Sequence, residues 1–147
     1  MERFERLFEV NGTEDVSRLR RSMEEIMVAS FGLFRQEDTM QDGLARLQEL
    51  VRRYERVRLR DSSLVFNSEL VRALELGFML DVALACAVAS LARQESRGSH
   101  YRFDYPAMDN QRFLKHSLIT RDPHGELALS YKDVTVIDTR PLDEIKY

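Results

Sequence analysis

Asn67-Ser68-Glu69-Leu70-Val71-Arg72-Ala73-Leu74-Glu75-Leu76-Gly77-Phe78-Met79-Leu80-Asp81-Val82-Ala83-Leu84-Ala85-Cys86-Ala87-Val88-Ala89-Ser90-Leu91-Ala92-Arg93-Gln94 is the stretch on which the fold turns. Asn67 is a good helix cap, and the spacing predicts a third long helix over about 68–95. Leu70, Leu74, Leu84, Val88 and Leu91 form one apolar line; Ala73, Leu76, Leu80, Ala83 and Ala87 form a second. Two lines make a face wider than packing against two short helices requires. Such a helix is either central in a bundle or covered on one side by something outside this chain. Cys86 and the alanines around it read as close-packing residues.

Upstream, two amphipathic helices are expected. The first starts at Thr13 or Asp15, carries Val16, Leu19, Met23, Ile26 and Leu33 at three- and four-residue spacing, and covers about 14–33. The second covers about 39–58, with Asp38 and Gln41 resembling a capping box and Met40, Leu44, Leu47, Val51 and Tyr54 on its inner face. Its outer face carries Arg46, Arg52, Arg53 and Arg56 with Glu49 and Glu55, the pattern of a solvated surface with local ion pairs. Residues 1–10, with Phe4, Leu7 and Phe8 on one side, read as a short docking turn or linker end before Asn11-Gly12.

Beyond Gly98 the pattern changes. Phe113 to Thr120 partly alternates, Asp122-Pro123-His124-Gly125 is strong turn chemistry, and Glu126 to Tyr131 alternates again, which predicts a β-hairpin over about 113–131. Val134 to Ile137 is expected to add a short strand, and Pro141 onward an extended tail. The fold expected is mainly α: a three-helix bundle over residues 1–98, then a charged linker, hairpin and tail over 99–147 packed as part of the same domain.

Composition sets limits on function. The 147 residues carry a net charge of −3, so no global field recruits nucleic acid or acidic lipid. A lone cysteine excludes an internal disulfide framework. The start lacks a secretion signal, and the most apolar run, Val82 to Ala92, is about half of what a spanning helix needs. The six glycines never come closer together than eleven positions (Gly32 to Gly43), so neither a dinucleotide fingerprint nor a P-loop can be built. His100, His116 and His124 lack metal-ligand spacing, and no Gly-x-Ser-x-Gly elbow occurs. No catalytic, cofactor-binding or metal residue is expected in this chain, which does not read as a complete enzyme.

What stands out is the charge cluster Arg93, Glu95, Arg97, His100, Arg102 and Asp104 at the end of the third helix. It can be a salt-bridged helix end, with Arg93 and Arg97 at the negative pole of the dipole. It can be a set of charges that cross an interface between domains. It can also bind an anion through paired guanidinium groups.

A resemblance bears on the choice. Val65-Phe66-Asn67-Ser68-Glu69-Leu70, Leu74 to Ala83, Ala92-Arg93-Gln94-Glu95-Ser96-Arg97-Gly98-Ser99-His100, Phe113 to Leu118 and the hairpin Asp122 to Tyr131 come in order. Together they resemble the C-terminal helical domain of the succinate dehydrogenase/fumarate reductase flavoprotein subunit family, with L-aspartate oxidase as a more distant match. The resemblance implies a spectrin-like helical domain, appended to upstream FAD-binding and capping domains, in an oxidoreductase that interconverts succinate and fumarate. It also implies an iron–sulfur subunit and membrane anchor subunits as partners, and a cytoplasmic position peripheral to the inner face of the membrane. The flavin and the dicarboxylate-handling residues then lie upstream of Met1, the chain is a piece of a longer protein, and FAD is bound by the parent only. The rival reading is a stand-alone helical interaction module. On either reading an exposed docking face would make the isolated chain self-associate.

Overall fold

Asn67 opens the longest helix: its Oδ1 accepts from the Leu70 amide at 2.8 Å, pairing one of the N–H groups that a helix start leaves unsatisfied. The computed structural model describes residues 2–9, 12–123 and 125–137. Along them run α1 (Glu2–Glu9), α2 (Val16–Phe31), β1 (Phe34–Arg35), α3 (Glu37–Tyr54), α4 (Ser68–Ala92), β2 (Tyr101–Arg102), α5 (Asn110–Phe113), β3 (Lys115–Arg121) and β4 (Leu127–Asp133). The chain is mainly α, a bundle of α2, α3 and α4 followed by a two-stranded hairpin.

The core lies between those three helices. Leu19, Met23 and Ile26 of α2 meet Met40, Leu47, Leu50 and Tyr54 of α3, and α4 supplies Leu76, Leu80 and Leu84. Each such side chain removed from water contributes roughly 1.5–3 kcal/mol. Ala73, Ala83 and Ala87 are fully buried too, so the small residues of α4 are where its neighbours approach most closely. The same holds between α2 and α3. A Cβ at Gly43 would lie 2.4 Å from the Ser30 Cβ, so only glycine fits that crossing.

Of the two apolar lines on α4, the one through Ala73, Leu76, Leu80, Ala83 and Ala87 is buried throughout, while Val71, Phe78 and Val82 stay exposed. Cys86 is exposed as well, not close-packed as its alanine neighbours suggest. It borders an apolar groove with Met23, Met27, Phe78, Met79 and Val82. The whole helix, not only Val82 to Ala92, is long and apolar enough to cross a membrane by length and composition. Here α1, α2 and α3 all pack on it.

Several local expectations are corrected. Residues 2–9 form a helix, not a docking turn, and Leu7 is buried. The start of α3 is Glu37, with Gln36 at the cap position and no side-chain cap, so the Asp38–Gln41 capping box does not form. Gln41 instead donates to Glu37 at 3.2 Å. The cap of α2 is Asp15, which accepts from the Arg18 amide at 3.0 Å. The hairpin strands pair antiparallel from Lys115↔Asp133 to Arg121↔Leu127, and Phe113 belongs to α5. Residues 134–137 are irregular. β3 begins at Lys115, opposite the end of β4 at Asp133, so residues 134–137 run past the start of their hairpin partner. The tail from Pro141 and His124 lie outside the described residues.

Candidate interdomain interface

Where α4 ends, two short strands bring distant segments together. β1, between α2 and α3, pairs in parallel with β2, matching Phe34 with Tyr101 and Arg35 with Arg102. Between α4 and β2 the chain reverses at Gly98, whose φ of +57° is a backbone shape that side-chain-bearing residues rarely adopt. Arg97 and His100 exchange both main-chain hydrogen bonds across that turn, at 2.8 and 3.0 Å. Ser96, fully buried, accepts from the Arg102 amide at 2.8 Å and donates to the Tyr105 carbonyl at 2.8 Å.

This geometry gathers all six side chains named from the sequence. Glu95 is fully buried and receives Arg97 as a fork (2.9 and 2.9 Å), Arg93 at 2.6 Å and the Asp109 amide at 2.8 Å. Burial alone would raise its pKa, but the hydrogen bonds from Arg97, the Asp109 amide and Arg93 outweigh burial and hold the carboxyl below its ordinary value. Arg93 also donates to the carbonyls of Phe113 and Lys115 and to Ser117, clamping the hairpin to the end of α4. Arg102, fully buried, forms a fork with Asp104 (2.7 and 2.5 Å) and donates to the Leu91 carbonyl at 3.1 Å. Its hydrogen bond to Asp104 raises its pKa and lowers that of the carboxyl. Asp104 in turn accepts from the Glu37 amide at 3.1 Å, which ties the cluster to the start of α3.

His100 is placed between two fixed partners. Its Nε2 lies 3.0 Å from the Arg93 carbonyl, which can only accept, and its Nδ1 faces the Arg35 guanidinium, which can only donate. The ring is therefore the neutral Nε2–H tautomer. Burial is the largest cause lowering its pKa, and the nearby charges of Arg35, Arg102 and Arg93 act the same way.

Sequence reasoning missed Arg35 and Glu37. Arg35 reaches the cluster from the α2–α3 connection, donating also to the carbonyls of Gly32 and Phe31. No local motif marks it. Every buried side-chain nitrogen and oxygen among the described residues has a partner. The guanidinium groups of Arg97 and Arg102 are thus directed at protein acceptors, as a salt-bridged helix end requires, and not at an open anion pocket. Against this network rests an exposed aromatic group: Phe34 and Phe103 stack with centroids 5.6 Å apart, Tyr101 stands edge-on to both, and both phenylalanines are about 60% exposed.

The chain is thus a helical bundle whose charge cluster closes on itself at the end of α4 while Phe34 and Phe103 face outward beside it. Residues 20–147 match the family described as fumarate reductase flavoprotein C-term, and the chain belongs to that family. It is 35% identical over 143 residues to the fumarate reductase flavoprotein subunit of Haemophilus influenzae, covering 97% of this chain and 24% of that protein. To the succinate dehydrogenase flavoprotein subunit of Coxiella burnetii it is 40% identical over 134 residues, covering 91% and 22%. Its fold superimposes on E. coli quinol fumarate reductase with a TM-score of 0.92 at 38% identity, covering 97% of this chain and 25% of that one. The chain spans about a quarter of the length of these relatives.

Proposed function

We propose that this chain is the C-terminal helical domain of a flavoprotein subunit that interconverts succinate and fumarate, and that it supports the flavin-bearing part without supplying a catalytic group. The observation that carries this reading is the match over nearly the whole chain to fumarate reductase at a TM-score of 0.92. With glycines never closer than eleven positions, this sequence does not contain the glycine-rich fingerprint that holds a dinucleotide pyrophosphate. FAD, which supplies hydride chemistry when bound, is assigned to the upstream portion of the parent.

Within that reading, the described residues that follow Gly98 belong to one domain with the bundle, and the Arg93–Asp104 cluster serves the interdomain contact. Arg93, Glu95 and Arg102 fix the shape of the helix end, while the partly exposed Arg97, His100 and Asp104, flanked by Phe34 and Phe103, present it to the flavin domain. The parent joins an iron–sulfur subunit and membrane anchor subunits, in a cytoplasmic position peripheral to the inner face of the membrane.

The test is to purify the full-length subunit and measure bound flavin and succinate-dependent dye reduction. Both are expected. A full-length protein that folds, binds no flavin and reduces no dye would overturn the reading.

A further inference from the structure

We propose that Leu64-Val65-Phe66, the loop entering α4, is a preformed apolar tip that seats in a depression on the polypeptide preceding this domain in the parent subunit. The inference rests on the reading of the chain as the C-terminal domain of that subunit. Three consecutive apolar side chains stand in water here: Leu64 is 71% exposed, Val65 72% and Phe66 wholly exposed. Phe66 also holds a φ of 55°, a left-handed conformation that is unfavourable for a residue with a bulky side chain.

The base of the loop is fastened. Asn67 donates to the carbonyls of Asp61 and Ser63 at 2.8 and 2.9 Å while its Oδ1 caps α4. Glu69 accepts from the amides of Arg60 and Asp61 at 2.7 and 3.1 Å, and Asp61 accepts from the Ser63 amide at 2.8 Å. Strain of this kind persists only where the surroundings hold it, and strained segments are common at binding sites. A fastened loop binds with less ordering cost than a mobile one.

Its location favours the preceding polypeptide as occupant. The relatives carry about three-quarters of their length outside the match, and the family is the C-terminal block, so in them that length precedes this domain. The N-terminal segment runs beside the chain leading into the loop: the Glu14 amide donates to the Arg56 carbonyl at 3.1 Å, and the Arg58 amide donates to the Glu14 carbonyl at 3.4 Å. Asp15 pairs with Arg60 at 3.6 Å. α1 lies at the same end, with Arg6 4.0 Å from Glu55 and over the Tyr54 ring at the end of α3, so a polypeptide entering through α1 comes to the end of the bundle from which the loop departs.

The experiment uses the native full-length subunit. Hydroxyl-radical oxidation of Phe66 is compared between native and denatured protein, with bound flavin and dye turnover measured on the same preparation. Protection of Phe66 by about tenfold or more in the native subunit is expected, with Phe66→Ser raising the rate at which protease releases the C-terminal domain by a similar factor. Phe66 oxidised as fast in the native as in the denatured state, in a preparation with flavin and turnover, overturns this proposal and leaves the parent reading standing. Protection that appears only at dimer-forming concentrations, or only with added lipid vesicles, assigns the tip to a second copy or a membrane and overturns it too. A full-length subunit without flavin or turnover sinks the parent reading itself.

Discussion

Arg35 and His100, sixty-five positions apart, meet guanidinium to imidazole, and the meeting fixes His100 as a neutral acceptor. The contact joins the α2–α3 connection to the turn after α4. It holds only while the ring carries no charge, since protonation would set a cation against Arg35 with Arg93 and Arg102 near by.

Stability should therefore depend on pH through His100. Its folded pKa lies below the ordinary value of 6.5, so on acidification the unfolded chain takes up the proton first. The stabilising contribution is present above that value and is lost as pH falls through the folded pKa. Thermal unfolding followed from neutral pH down to the upper edge of the carboxylate range should show a falling Tm. His100→Gln, which can accept from Arg35 and donate to the Arg93 carbonyl without titrating, should flatten the fall.

Glu95 is the second test. Glu95→Ala leaves Arg93 and Arg97 short of their shared partner at a buried helix end. A loss of about 3–5 kcal/mol is expected, the cost of breaking a buried ion pair from one side. Denaturant unfolding measures it, and a loss below about 1 kcal/mol would place Glu95 among ordinary surface pairs.

At Gly43 packing opposes propensity. Alanine favours a helix over glycine by about 1 kcal/mol, yet its Cβ would meet the Ser30 Cβ at 2.4 Å. Gly43→Ala should destabilise by about 1–3 kcal/mol. Ser30→Gly in the same chain should restore much of the loss, whereas Ser30→Ala, which keeps the Cβ, should not.

Self-association is the fourth expectation. Val28 is exposed on α2, and on α4 the exposed Val82 lines the apolar groove with Met27, Met79 and Cys86. The 147-residue chain alone should sediment as a mixture of monomer and larger species, and Val28→Ser with Val82→Ser should shift it toward monomer.

Much of this fold is written locally. Asn67 as a cap, the 3-4 spacing of Leu19, Met23 and Ile26, and the turn chemistry of Asp122-Pro123 each act within a few residues, so the bundle and hairpin are legible from the sequence. The eight residues of α1 are too few for a period to stand out, and tertiary burial of Leu7 helps hold them. The β propensity of Val134 to Ile137 is real, but these residues lie past the start of β3 at Lys115, so the hairpin ladder ends before it reaches them. Cys86 reads as packed because its neighbours are alanines, yet the burial of a helix face depends on what lies opposite. Of the charge cluster, the six residues in one stretch were visible, and Arg35 was not. Its role depends on the β1–β2 pairing, which no local pattern announces.

On the proposed function, the end of α4 supports the flavin-bearing part of the parent. The most direct test is flavin retention by the full-length subunit carrying Arg97→Ala, measured after gel filtration at a temperature where the variant keeps its helical circular dichroism. A clear loss of flavin relative to the parent subunit is expected, together with a lower Tm. Full flavin content with an unchanged Tm would contradict it.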